Sequence, residues 1–273
     1  MLVYDSSVKQ LPIINPLKGV WEKRSLLKLL VARDLTVRYK RSVIGIWWSL
    51  LNPLFTTAVL FYVFNTVFQQ KLSNGQAFLP YLLSGVLTIT LFNQGLTMAA
   101  DSIASGAGVL TKVYVRPEIF AFSATISSAI NLLFGLIPLT VVLLIFGKHP
   151  GWKTPLILVF MLCMLLFSTG LGLMLAIAYV NFDDSRSLIN IFLLALQYMT
   201  PVFYPISALG PHTQRVIHAN PLTSYLQIFR DVFGGNAVAT KHEWLMMGST
   251  SIIVFILGLY VFGRMWPKVV AKL

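Results

Sequence analysis

Six stretches of this chain hold no charged residue: those between Arg41 and Lys71, Lys71 and Asp101, Glu118 and Lys148, Lys153 and Asp183, Arg186 and Arg215, and Glu243 and Arg264. Leu, Ile, Val, Phe, Ala and Met dominate each one. Each reaches or exceeds the roughly 20 apolar residues that a helix needs to cross about 30 Å of hydrocarbon. Helices buried in soluble proteins are shorter and keep a polar stripe. The pattern predicts an all-α integral membrane protein with six spans, at about 46–68, 78–99, 119–146, 155–180, 188–204 and 244–262.

With 56% hydrophobic and 11% charged residues, little of the chain is left over for a soluble domain. A net charge of +12 would suggest nucleic acid in a soluble protein. Here the positive-inside rule accounts for it. An even number of spans puts both ends on one side. Fifteen Lys and Arg fall on that side and six on the other, which predicts cytoplasmic termini. No secretory signal is expected, because the first apolar span begins about forty residues in, behind many positive charges, and exceeds a signal core in length. The lone Cys163 falls in the fourth span and reads as packing. Trp47, Trp48, Trp152, Trp244 and Trp266 fall near span ends, as an interfacial aromatic belt requires.

The chain divides into residues 1–41, a cytoplasmic lead and amphipathic helix, and 42–273, the six-span domain. Residues 1–20, with Pro12, Asn15, Pro16 and Gly19, read as an irregular cytoplasmic lead. A helix from Trp21 to about Arg41 carries apolar residues interrupted by Arg33 and Lys40. It is read as lying on the inner membrane surface with its basic side chains snorkelling, or as a solvated basic helix. Asp101–Glu118 is the sizeable internal loop. Its Gly106, Gly108 and Val109–Tyr114 predict a short cytosolic helix, a docking peg for a partner or an ordinary connector. The external segment Pro205–Glu243 holds apolar runs such as Leu222–Phe233, too short to cross, which read as re-entrant or interfacial helices.

Enzyme constellations are missing. No GxxxxGK[ST] loop exists to hold a nucleotide. His149, His212, His218 and His242 are scattered over predicted external loops, so no metal site is expected. The Asp183-Asp184 pair sits at a turn beside Arg186, where local ion pairing explains it. No ionisable group lies at membrane depth, whereas ion-coupled carriers usually keep one despite its cost. Energy for uphill movement would then come from outside the chain.

The run Arg33-Asp34-Leu35-Thr36-Val37-Arg38-Tyr39-Lys40-Arg41-Ser42-Val43-Ile44-Gly45-Ile46-Trp47-Trp48-Ser49-Leu50-Leu51-Asn52-Pro53-Leu54 resembles the entry to the first span of ABC-2 type permeases that export polysaccharides (O-antigen, capsule, teichoic acid or mycobacterial galactan). Leu110–Glu118 is similar to that family's cytoplasmic loop, although Arg116-Pro117 stands where many members have Pro-Arg. Pro201-Val202-Phe203-Tyr204-Pro205, then Asn220-Pro221-Leu222-Thr223 and Arg230, resemble its fifth span end and external loop. The likeness runs in order along the whole chain.

The resemblance implies a homodimer of six-span subunits in the cytoplasmic (inner) membrane. Two copies of a separate ATPase would bind ATP and Mg, this chain would hold no cofactor, and the cargo would be a lipid-linked glycan. Val109, Leu110, Lys112, Tyr114 and Arg116 would form the coupling loop to the ATPase, Trp21–Arg41 the interface helix, and Pro205–Phe233 gate helices at the outer end. A sugar polymer offers apolar ring faces and hydroxyl edges. Channel-lining aromatic candidates are therefore Trp47, Trp48, Phe55, Tyr62, Phe92, Tyr198, Phe203 and Tyr204, with a belt role as the alternative. Arg33, Arg38 and Arg41 are candidates for the carrier's diphosphate or, equally, for anionic headgroups. Gly170, Gly172 and Ala176 form a small-residue face suited to helix packing. Rival readings are an ABC-2 permease for a drug, antibiotic or lipid, an ATPase-independent carrier or flippase, and a membrane-embedded transferase.

Overall fold

Where the helices begin follows from local chemistry. Proline stands in the first turn of α4 (Phe78–Leu110), α8 (Pro211–Ala219) and α9 (Pro221–Val232), where its missing N–H costs nothing. The Asn220 side chain caps α9 by accepting from Leu222 N–H at 3.1 Å. Helix α10 (Lys241–Val269) opens with a capping box. There Thr240 N–H donates to Glu243 Oε2 at 2.7 Å, and Glu243 N–H donates to Thr240 Oγ1 at 3.3 Å.

The protein is described by a computed structural model covering residues 14–40, 42, 44–67, 78–110, 115–147, 149, 151–182, 184–233 and 238–269. Among these residues every regular element is helical. The remaining helices are α1 (Ile14–Glu22), α2 (Arg24–Tyr39), α3 (Trp48–Tyr62), α5 (Glu118–Ile145), α6 (Ile157–Asn181) and α7 (Ser185–Met199).

Among the described residues, four runs are long and apolar enough to cross a membrane: Phe78–Gly106, Glu118–Ile145, Thr154–Asn181 and Lys241–Pro267. They match the second, third, fourth and sixth predicted spans. Helix α3 has 15 residues, lengthened by a 3₁₀ turn at Gly45–Trp47 and a π turn at Val63–Val67. Gly45 enters it at φ 57°, a left-handed conformation that suits glycine. Helix α7 also has 15 residues. It stops at Met199, short of the predicted 204, because the ring of Pro201 cannot continue the helix.

The expected internal loop from Asp101 is corrected by the structure: α4 runs on to Leu110 as one 33-residue helix. Gly106 permits this by lying flat on Phe120, whose Cδ1 would be 2.9 Å from an added Cβ. Asp101 there pairs with Arg186 at 2.9 Å.

Helix α4 is the hub and is more fully buried than α10. It packs on α5 and α6, and α6 packs on α10. The small-residue face predicted in the fourth span sits in these seams. A Cβ on Gly170 would lie 2.5 Å from the Val254 carbonyl oxygen of α10, and Gly172 abuts Ala99 of α4. Helix α9 is wedged inside the bundle, with Leu222, Tyr225, Leu226 and Phe229 at most 2% exposed. Helix α8 lies outside and buries only Ile217. Helix α2 packs Leu30 onto Ile119 and Phe120 of α5, which accounts for its imperfect amphipathic stripe.

Candidate functional site

A cavity of about 370 Å³ opens between α3, α4, α5 and the end of α7. Helix α3 offers Trp48, Asn52 and Thr56, which share one face by their i, i+4 spacing. Helix α4 adds Thr90, Asn93 and Gln94, and α5 adds Ser128 and Asn131. Gln197 and Phe203 complete the α7 side, and Arg38 of α2 reaches in from one end. Among the described residues the lining contains no carboxylate, and Arg38 is its one charge, surrounded by carboxamides and hydroxyls that both donate and accept.

These groups are only partly committed elsewhere. Thr56 Oγ1 donates to Asn52 Oδ1 at 3.3 Å. Arg38 donates to Gln94 Oε1 at 3.2 Å and reaches Met98 Sδ at 2.6 Å. Among the described residues nothing donates to the buried Asn93 Oδ1, which leaves it for a donor in the cavity. Apart from Arg38, such a wall offers uncharged groups that can exchange hydrogen bonds with a polyhydroxyl chain. The Trp48 and Phe203 rings supply apolar faces.

The structure separates the sequence-derived candidates. Among the aromatics, Trp48 and Phe203 line the cavity. Phe92 is 1% exposed and packs on Phe167 in the core. Trp47, Phe55, Tyr62 and Tyr198 are exposed on the outward faces of α3, its 3₁₀ lead and α7. Tyr204 is half-buried, its hydroxyl donating to the Tyr198 carbonyl at 2.9 Å. Of the arginines, Arg38 meets the cavity. Arg33 pairs with Asp34 at 2.8 Å and lines a separate cavity of about 230 Å³ with Asp101 and Ser123. Arg41 lies outside the described residues.

Of the coupling-loop candidates, Val109 and Leu110 end α4, while Lys112 and Tyr114 lie outside the described residues. Arg116 is half-buried, its side chain occupying the space that a Cβ on Gly19 of α1 would need. The far end of the loop is thereby braced on the N-terminal helices.

Sequence reasoning missed the carboxamides. Asn52, Asn93, Gln94, Asn131 and Gln197 stand alone in apolar runs, and a search restricted to ionisable groups passes over them. Their helical spacing with Thr56, Thr90 and Ser128 was the available signal.

The chain is 26% identical over 245 residues to the O-antigen export system permease protein RfbA of Myxococcus xanthus, covering 89% of this chain and 93% of the relative. It is 24% identical to the protein of the same name from Klebsiella pneumoniae, over 88% of this chain and 92% of that one. Identity to the capsule polysaccharide export inner-membrane protein CtrC of Neisseria meningitidis serogroup A is 21%, over 94% of this chain and 97% of the relative. The model of the ABC-2 type transporter family matches residues 25–233, most of the chain and all the elements that build the cavity. This protein therefore belongs to the ABC-2 type transporter family.

Proposed function

We propose that this protein is the membrane permease half of an exporter that moves a lipid-linked polysaccharide across the cytoplasmic membrane. The observation that carries the reading is the polar cavity: carboxamides, hydroxyls and two aromatic faces beside one arginine, with no carboxylate in its wall among the described residues. Such a wall suits sugar rings, and the relatives named for O-antigen and capsule export fit the same cargo. A drug or lipid cargo without hydroxyl donors would offer nothing to the Asn93 Oδ1 acceptor, at about 1–3 kcal/mol for a buried group left unpaired.

In this reading α3 and α7, with their flanking turns, complete six crossings, and both termini are cytoplasmic. Two copies of the chain close the passage, the exposed Trp47, Phe55, Tyr62 and Tyr198 faces of α3 and α7 meeting across the seam. Two copies of a separate ATPase bind ATP and Mg at the cytosolic ends. The 109–116 loop transmits their motion, because its far end is braced on α1 and α2. Arg38, at the inner end of the cavity, is placed to meet the carrier's diphosphate as the glycan enters. Helices α8 and α9 close the outer end.

The test is reconstitution of the permease with the ATPase that co-purifies with it. ATP-dependent accumulation of a lipid-linked glycan in inside-out vesicles is expected, lost when Lys112 or Tyr114 is replaced by alanine. Uphill transport by the permease without any ATPase would overturn the proposal, as would normal coupling in those variants.

A further inference from the structure

The break after α7 creates a solvation problem that the bundle solves with a buried cation. Beyond Met199 the chain leaves helical geometry, so the carbonyls of Pro201, Val202 and Tyr204 have no following turn to bond them. Irregular backbone buried away from water survives only where protein groups satisfy it. Two side chains do so here. Arg230 of α9 donates through Nη1 to the Pro201 carbonyl at 3.2 Å and through Nη2 to the Val202 carbonyl at 3.3 Å. The Tyr81 hydroxyl of α4 donates to the Tyr204 carbonyl at 2.7 Å and to the Pro201 carbonyl at 3.2 Å.

The two donors are locked to each other. The Arg230 guanidinium carbon sits 3.5 Å above the Tyr81 ring centroid, while Nη2 reaches the Tyr81 carbonyl at 3.3 Å and Nε reaches Ser84 Oγ at 3.4 Å. Arg230 is 3% exposed. None of the ion pairs among the described residues includes it, so carbonyl dipoles and a ring face balance its charge. Helix α4 makes room with a glycine. A Cβ on Gly85 would stand 3.1 Å from both Arg230 Nη2 and the Val202 carbonyl oxygen.

The corner held in this way carries Phe203. That ring lines the cavity, stacks on Phe64 of the π turn at 6.2 Å and 6°, and meets Tyr198 at 5.7 Å. Through Phe64 it lies toward the Phe78 end of α4, whereas Arg38 meets that helix at Gln94 and Met98. We infer that Arg230 and Tyr81 are a positioning pair, a clamp that fixes the Pro201–Pro205 corner so that Phe203 plugs the outer end of the passage. The inference rests on the reading of the cavity as part of that passage.

The full chain, reconstituted in vesicles loaded with radiolabelled sucrose, is assayed for efflux without nucleotide. Wild type is expected to stay at the level of protein-free vesicles. Phe203→Ala, Arg230→Gln and Tyr81→Phe are each expected to raise efflux roughly tenfold or more while the thermal midpoint stays near that of wild type, with Arg230→Lys intermediate. Tyr81→Phe removes a single hydroxyl and carries the test should Arg230→Gln fail to fold. If Phe203→Ala leaks and the clamp variants stay tight, the clamp is overturned. If Phe203→Ala itself stays tight, the cavity is no passage, and the clamp falls with that reading.

Discussion

Replacing Gly170 by alanine adds one methyl group between α6 and α10, and the structure sets what it costs. The new Cβ would stand 2.5 Å from the Val254 carbonyl oxygen and 2.7 Å from Phe255 Cα, where ordinary contact begins near 3.4 Å. The obstructing atoms are backbone, so no rotamer change relieves them and the helices must part by nearly 1 Å. Across the seam, Gly258 has its own Cβ position blocked by the backbone of Gly170, which leaves no slack on that side. Overpacking of this kind costs up to about 3 kcal/mol, and the better helix propensity of alanine returns about 1. The net loss is about 2 kcal/mol. The control lies on the same partner helix: Gly248 and Gly263 have nothing within 4 Å of an added Cβ. Their alanine variants are expected to hold or gain up to about 1 kcal/mol. Reversible unfolding in mixed micelles, followed by far-ultraviolet circular dichroism, would give each difference. Equal stability of the Gly170→Ala and wild-type proteins would refute the reasoning, as would an equal loss in Gly263→Ala.

Asn93→Leu, which replaces an unpartnered cavity acceptor with an apolar group, is expected to slow glycan export roughly tenfold with ATP hydrolysis unchanged, read in the reconstituted complex. Lys153→Met should cost about 1–2 kcal/mol: it strands the Asp231 carboxylate, whose side chain is 7% exposed, while Lys153 itself is one-third exposed and partly screened. A double-mutant cycle with Asp231→Asn would measure the coupling, and additive losses would deny it. Thr240→Ala and Glu243→Ala should each cost about 1 kcal/mol by uncapping α10, and together less than the sum. Thermal midpoints of the two single variants and the double variant would check this.

Much was legible without coordinates. Exclusion of charge from long runs is a property of each segment taken alone, since every residue of a span meets the same solvent. The helices at Phe78–Gly106, Glu118–Ile145, Thr154–Asn181 and Lys241–Pro267 were readable for that reason. So was the small-residue face at Gly170 and Gly172, because close helix approach needs small side chains whatever the partner. The continuation of α4 past Asp101 was not legible. Gly106 looks like a helix breaker until Phe120 is found lying against it.

The sequence by itself settled that the chain is a helical membrane protein and that it carries no nucleotide-binding loop. Only the tertiary structure decided that Arg230, in the sequence one more loop charge opposite the termini, is buried among carbonyls, and that carboxamides from α3, α4, α5 and α7 share one cavity. Burial in lipid acts on residues one segment at a time and leaves its mark on composition. Carbonyl satisfaction and cavity walls join residues such as Tyr81, Pro201 and Arg230 that lie far apart along the chain, and no local pattern encodes which of them meet.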